Sequence, residues 1–185
     1  MPDLAGKYAR FELERRFLVT RLPDGITDNR GWRITDRYIP ATQLRLRRME
    51  PLHQAETIFK LGQKQMVSPS DFIRTTITNI YLSADEYALL TELEAHEIHK
   101  RRYSVPYSNR VLSVDIFEGH LSGLTIAEVS FETDTEMVEP LGLPSWVGRE
   151  VSDEIRFTGG ALARLTARQA DELVRQLQGS DRRRP

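Results

Sequence analysis

The 185-residue chain has no cysteine, which removes disulfides, thiolate metal ligands and thiol nucleophiles together. Any metal must therefore be held by oxygen or imidazole. Long apolar runs are missing as well, and none approaches the roughly 20 residues that carry a helix across a bilayer. The opening MPDLAGKYARFELERR reaches its charges without a hydrophobic segment, so it does not read as a secretion signal and the protein is expected in the cytoplasm. Charge of one sign is also lacking. Lys plus Arg number 26 against 27 Asp plus Glu, a formal net charge of -1, which gives no global pull toward nucleic acid or anionic membrane, and neither is expected as a partner.

What is present is ordinary for a globular chain: 39% hydrophobic and 29% charged residues at a length that suits one domain spanning 1–185. Period-two alternation is the main local signal. In FELERRFLV, residues Phe11, Leu13, Phe17 and Val19 fall on one strand face and Glu12, Glu14 and Arg16 on the other, with Arg15 breaking the apolar side. Further strands are expected over 34–39, 43–49, 56–61, 73–82, 98–105, 111–117, 126–132 and 147–152, with turns at Gly25, Ser108-Asn109 and Gly119 to Gly123. Residues 63–71 are polar and contain Pro69, which predicts a connection. Ser83 and Glu86 have capping-box spacing ahead of a helix over 84–95, and a last helix carries Leu162, Leu165, Ala170, Leu173, Val174 and Leu177. Residues 179–185 have little to pack and are expected to fray.

About eight strands with short connections and two helices predict an antiparallel, β-rich α+β domain. Eight strands suffice to close a barrel. Closure would turn a wide charged sheet face into a wet interior.

The charges on that face carry the chemistry. Glu12-x-Glu14-x-Arg16, Arg45-x-Arg47 and Lys100-x-Arg102 each place ionised groups two residues apart, hence on one side of a strand, with Lys60 and Arg74 as single basic positions elsewhere. Any one of these suits a solvated strand face equally well. Their recurrence favours an anion, because converging cations gain little stability unless something neutralises them. Asp115, Glu128 and Glu150 sit among apolar neighbours and need partners, which could be the arginines or a hard divalent ion such as Mg²⁺ or Mn²⁺ that also binds phosphate oxygens.

In order along the chain, FELERRFLV, Tyr38, Leu44-Arg45-Leu46-Arg47, Lys60, Lys100-Arg101-Arg102-Tyr103, SVDIFEG, Ala127-Glu128-Val129 and Glu150-Val151-Ser152-Asp153 resemble the CYTH, or triphosphate tunnel metalloenzyme, pattern, and the resemblance covers nearly the whole chain. It implies an eight-stranded antiparallel β-barrel tunnel with flanking helices and Mg²⁺- or Mn²⁺-dependent hydrolysis of a triphosphate, tripolyphosphate first. Adenylate cyclase or thiamine triphosphatase chemistry on the same site, or polyphosphate binding without turnover, are the alternatives. A homodimer is left open. By the resemblance, Arg16, Arg45, Arg47, Lys60, Lys100 and Arg102 hold phosphates, while Glu12, Glu14, Asp115, Glu128 and Glu150 hold metal directly or through water. Arg74 joins the substrate-binding set, and Lys60 is a candidate proton acceptor beside Glu12 and Glu14 in catalysis. The chain departs from the pattern at Arg16, where lysine is usual, at Ser130, which takes the second acidic place of Glu-x-Glu, and at Thr76 and Thr78 in place of glutamates.

Other conspicuous residues read as structural. His96 and His99 lack a third ligand, His53 and His120 fall in turns, and Trp32 and Trp146 suit the core or rim. Gly159-Gly160 reads as a turn, and Arg182 to Arg184 as a solvated tail.

Overall fold

Alternation along the strands, carried round until the last meets the first, determines the architecture. The computed structural model describes residues 9–24, 26, 31–53, 56–68, 71 and 73–181. Its strands are β1 (Arg10–Val19), β2 (Gly31–Tyr38), β3 (Leu44–Pro51), β4 (Ile58–Met66), β5 (Arg74–Leu82), β6 (His96–Tyr107), β7 (Arg110–Phe117), β8 (Thr125–Phe131) and β9 (Val147–Glu150). They pair antiparallel in the order β5-β4-β3-β2-β6-β7-β8-β1, and β5 returns to β1 with Glu12 opposite Thr75, so eight strands close into the expected barrel. The free side of β1 is shared. Its first half pairs with β5 and its second half with β9, across a register shift between Phe17 and Val19.

The outward face of β1, β7 and β8 is apolar and is covered by the segment that follows β8. Phe17, Leu112, Val114, Ala127, Val129 and Phe131 pack with Met137 of α2 (Asp134–Val138) and with Trp146. A second cluster lies at one end of the barrel, where the inward row itself becomes apolar. Leu18, Ile98, Phe117 and Ile126 meet Phe157, then Leu162 and Ala163 of α3 (Gly159–Ala163), and Ala170, Leu173 and Val174 of α4 (Ala167–Asp181). Each large side chain buried there contributes about 1.5–3 kcal/mol. The C-terminal helices thus form a dry floor beneath a charged interior.

Several elements differ from the sequence expectation, each for a local reason. β4 continues to Met66 because its polar residues complete the ladder with β5, Lys64 opposite Ile77 and Met66 opposite Thr75. The capping box of α1 (Ala84–Leu90) forms as expected, yet the helix stops short of 95, and Arg37 on the outside of β2 takes the carbonyls of Thr91 and Leu93. The single last helix is split between α3 and α4, and reciprocal bonds between Thr166 and Gln169 start α4. Gly159 and Gly160 open α3 rather than forming a free turn. A Cβ on Gly159 would lie 2.0 Å from the Tyr38 hydroxyl oxygen, so the close approach of the floor to β2 requires glycine. The short helix α2, capped by Thr133, carries no signal strong enough to have been expected. α4 runs on to Asp181, inside the segment expected to fray, whereas 182–185, the turn at Gly25 and the break at Pro69 lie outside the described residues. Among the described residues no helix is long and apolar enough to cross a membrane.

Replacing Gly159 with Ala should cost about 1–3 kcal/mol in urea unfolding, the usual penalty for overpacking. Adding Tyr38→Phe, which removes the nearest atom, should recover part of the loss. An unchanged midpoint for Gly159→Ala would contradict this packing.

Candidate active site

The inward rows enclose a cavity of about 360 Å³. Its wall carries Arg16, Arg45, Arg47, Lys64, Lys100, Arg102 and Arg164 against the carboxylates Glu12, Glu14, Asp115 and Glu128, seven cationic side chains to four acids. Glu12, Glu14 and Arg16 project together because they alternate with the outward residues of β1. Between the two glutamates lies Lys64, its Nζ 3.0 Å from Glu12 Oε2 and 3.3 Å from Glu14 Oε2. Burial alone would lower the Lys64 pKa, but the adjoining charges of Glu14 and Glu12 prevail and raise it.

Across the barrel, Asp36 of β2 is fully buried beneath two arginines of β3. Arg47 binds it at both oxygens, Nε to Oδ1 at 2.5 Å and Nη2 to Oδ2 at 2.7 Å, while Arg45 Nε stands 3.6 Å from Oδ1. Burial pushes the Asp36 pKa up, yet the guanidinium charges of Arg47 and Arg45 overcome it and hold the acid well below its ordinary range. Arg45 Nε is buried without a hydrogen-bond partner among the described residues. On the third side, Lys100 Nζ lies 2.5 Å from Asp115 Oδ2, and Arg102 grips the same carboxylate at 2.6 Å through both Nε and Nη2, then reaches Glu128 Oε2. Burial and the neighbouring Arg102 charge depress the Lys100 ammonium despite Asp115. Glu128, which burial would raise, is lowered chiefly by Arg102.

Three residues of the expected set stand elsewhere. Glu150 does not line the cavity, because the irregular joint of β9 with β1 turns it outward, where Arg15 binds both its oxygens at 2.9 and 2.6 Å. This pair also explains the charge on the apolar face of β1. Arg74 points away from the cavity to Asp71 and Asp134, at 2.9 and 2.7 Å. Lys60 shares the inward row of β4, but its ammonium lies over the Tyr81 ring, 4.9 Å from the centroid, and is not part of the wall. Sequence reasoning missed Lys64, Asp36 and Arg164. The Lys60-x-Gly62-x-Lys64 spacing and the lone acid between Ile34 and Tyr38 were the available signals for the first two.

The donors fit a hard divalent ion. The Lys64 ammonium already occupies a cation's place between two carboxylates, and Mg²⁺ takes one or two carboxylates with water and phosphate completing its shell. Among the described residues no three His, Asp or Glu side chains converge as a ready-made metal cage. His96 stands exposed at the cavity edge, and His99 contacts Thr35 at 3.3 Å.

No protein-family model matches the chain. A curated inorganic triphosphatase from Nitrosomonas europaea is 28% identical over 158 residues, 82% of this chain and 96% of the relative. The crystal structure of an inorganic triphosphatase aligns at 27% identity with a TM-score of 0.56, covering 84% of this chain and 95% of the other. Both similarities agree with the resemblance of the chain to the CYTH, or triphosphate tunnel, superfamily. A candidate adenylate cyclase from Bacillus halodurans shares the fold, with a TM-score of 0.51 at 19% identity over 70% of this chain and 84% of that one. Within this barrel, β5 turns Thr75 and Ile77 to the cavity, neither of them acidic, and the exposed Ser130 pairs with Glu14.

The lowered acids fix a pH response. A carboxylate depressed in the folded state stabilises it fully above the unfolded value, near 4, and that contribution is lost as pH falls through the folded value. Thermal melts from pH 7 to pH 2 should therefore lose Tm progressively below about pH 4. Asp36→Asn should begin less stable and lose less over that window, whereas parallel curves would count against the Asp36 assignment.

Proposed function

We propose that this protein is an inorganic triphosphatase that cleaves tripolyphosphate inside the barrel, with Mg²⁺ or Mn²⁺ as cofactor. The observation that carries this reading is the cavity wall itself, where seven cationic side chains face four acids. A chain of phosphates supplies the missing negative charge. The 28% identity to an inorganic triphosphatase over most of both chains supports the same choice.

Arg45, Arg47, Arg16, Lys100 and Arg102 bind phosphate oxygens from opposite sides of the cavity and hold the substrate extended between them. Asp36 keeps the two β3 guanidiniums aimed, so little reorganisation is needed when charge shifts during the reaction. Glu12 and Glu14 would hold the divalent ion, which when bound neutralises phosphate oxygens and makes a coordinated water more acidic. Water adds to the terminal phosphorus, the bond from that phosphorus to the bridging oxygen breaks, and orthophosphate and pyrophosphate leave. A carboxylate oxygen of Glu14 accepts the hydrogen bond that orients the attacking water. The arginines stabilise charge on the transferred group, and positioning with electrostatics accounts for most of the rate. A cytoplasmic location accompanies this reading.

One observation favours a second reading. The wall continues past the charges onto Ile39, Pro40, Ile155 and Phe157, an apolar margin that suits an organic group attached to a triphosphate, as in ATP or thiamine triphosphate.

Phosphate release from tripolyphosphate with Mg²⁺ or Mn²⁺ should fall by about a hundredfold or more in Glu12→Gln and in Arg45→Ala. Arg74→Gln, altered outside the cavity, should stay within about twofold, as surface substitutions generally do. Activity in the first two equal to that of the parent would overturn the assignment, and product analysis with ATP and thiamine triphosphate decides between the two readings.

A further inference from the structure

Lys64 occupies the place that a divalent ion must take. A hard ion bound by Glu12 and Glu14 would sit about 2.0–2.1 Å from each oxygen. The ammonium lies 3.0 and 3.3 Å from those same oxygens, so the two cations exclude one another sterically as well as by charge. The surroundings make Lys64 necessary. The neighbouring β5 residues on the inward face are Thr75 and Ile77, and Ser130 is the β8 residue opposite Glu14, so these positions supply no charge. The residue two before Lys64 on the same inward row is Gly62, where a built Cβ would lie 2.9 Å from Asn79 Oδ1 and 3.8 Å from Arg45 Nη2. A lysine stem released from the glutamates would run along β4 past the Asn79 side chain toward the Arg45 guanidinium.

We propose that Lys64 is a built-in counter-ion that holds the Glu12–Glu14 seat closed to divalent metal and transfers to phosphate when metal and substrate enter together. Its phosphate half rests on the triphosphatase reading, while its metal half stands on the geometry alone. Without phosphate, a metal must displace Lys64 and leave the ammonium in a cavity already rich in cations. With phosphate present the ammonium has a new partner beside Arg45, so metal and substrate each favour binding of the other. Lys64 is thus a positioning residue that couples the two events.

The test is Mn²⁺ binding to the full chain without phosphate, followed through the electron paramagnetic resonance signal of free Mn²⁺. Lys64→Gln should bind Mn²⁺ more tightly than the parent, by roughly 5- to 150-fold, the usual span of coupling between sites. Lys64→Arg, which keeps a cation in the seat, should stay near the parent. Mn²⁺ should also raise the Tm of Lys64→Gln more than that of the parent, a readout that holds even where this variant is less stable. In EDTA, calorimetric binding of tripolyphosphate should change little in Lys64→Gln but fall sharply in Arg45→Ala, because without metal Lys64 is still engaged by the glutamates. Equal Mn²⁺ affinity in parent and Lys64→Gln, or weaker binding in the variant, would overturn the proposal even if phosphate release were normal. Tighter Mn²⁺ binding without any triphosphate turnover would keep the closed seat and remove only the triphosphatase reading.

Discussion

Pairing of opposite charges inside a closed barrel is the constraint on which the rest of this structure depends. Ring closure through β1 and β5 takes the inward rows of eight strands away from bulk water, and those rows carry arginine and lysine from β1, β3, β4 and β6. Left unpaired, such charges would cost several kcal/mol each. Two groups of cations are instead matched to an acid on an adjacent strand, Arg47 and Arg45 to Asp36 and Lys100 and Arg102 to Asp115, while Lys64 reaches across β5 to Glu12 and Glu14. Strand register sets these matches. Asp36 is directly opposite Arg47 and Arg102 directly opposite Asp115, so backbone pairing brings the partners together.

The apolar floor serves the same end from below. Leu18, Ile98, Phe117 and Ile126 continue the inward rows that hold Arg16, Lys100, Asp115 and Glu128, and the C-terminal helices seal them. Side chains at the boundary are consequently desolvated on one side, which makes their interactions stronger and their placement less adjustable. Arg16 shows how the outside reinforces the inside. Its backbone N donates to Ser152 Oγ at 2.8 Å and its Nη2 donates to the Ser152 carbonyl at 3.1 Å, while Ser152 Oγ donates to Glu150. Glu150, outside the cavity, thus belongs to a chain of contacts that ends on a cavity arginine.

Much of this was legible in the sequence wherever two chemically distinct faces alternate. FELERRFLV, LRLRR and the run around Lys100 and Arg102 reveal both their strands and their inward charges, because a single residue of slip would bury the wrong set. Lys64 was hidden for the opposite reason. Gly62-Gln63-Lys64-Gln65 is polar on both faces, so period two leaves no mark, and only the ladder with β5 shows that the strand continues. Glu150 was misplaced because alternation within β9 says nothing of the irregular joint by which β9 meets β1. Arg74 shows a further limit. It opens β5 on the outward face, where it pairs with Asp71 from the preceding turn and with Asp134, sixty residues on, which strand pattern does not bring together.

The pairing also explains how one cavity can be stable empty and still bind a highly charged substrate. Asp36 is shared by Arg47 and Arg45, so a single carboxylate leaves part of the cationic charge there uncompensated, whereas Lys100 and Arg102 are met by both Asp115 and Glu128. That surplus, with Arg16 and Arg164 on the same wall, is what an incoming phosphate neutralises. The retained acids keep the guanidiniums aimed throughout, so binding does not first require the cations to be ordered. Glu12 and Glu14 follow the reverse logic, two acids shared by one ammonium, and their surplus is negative. An interior with positive surplus on one wall and negative surplus on another is matched by an anion that arrives with its own divalent cation. Neither half of such a complex satisfies both walls alone.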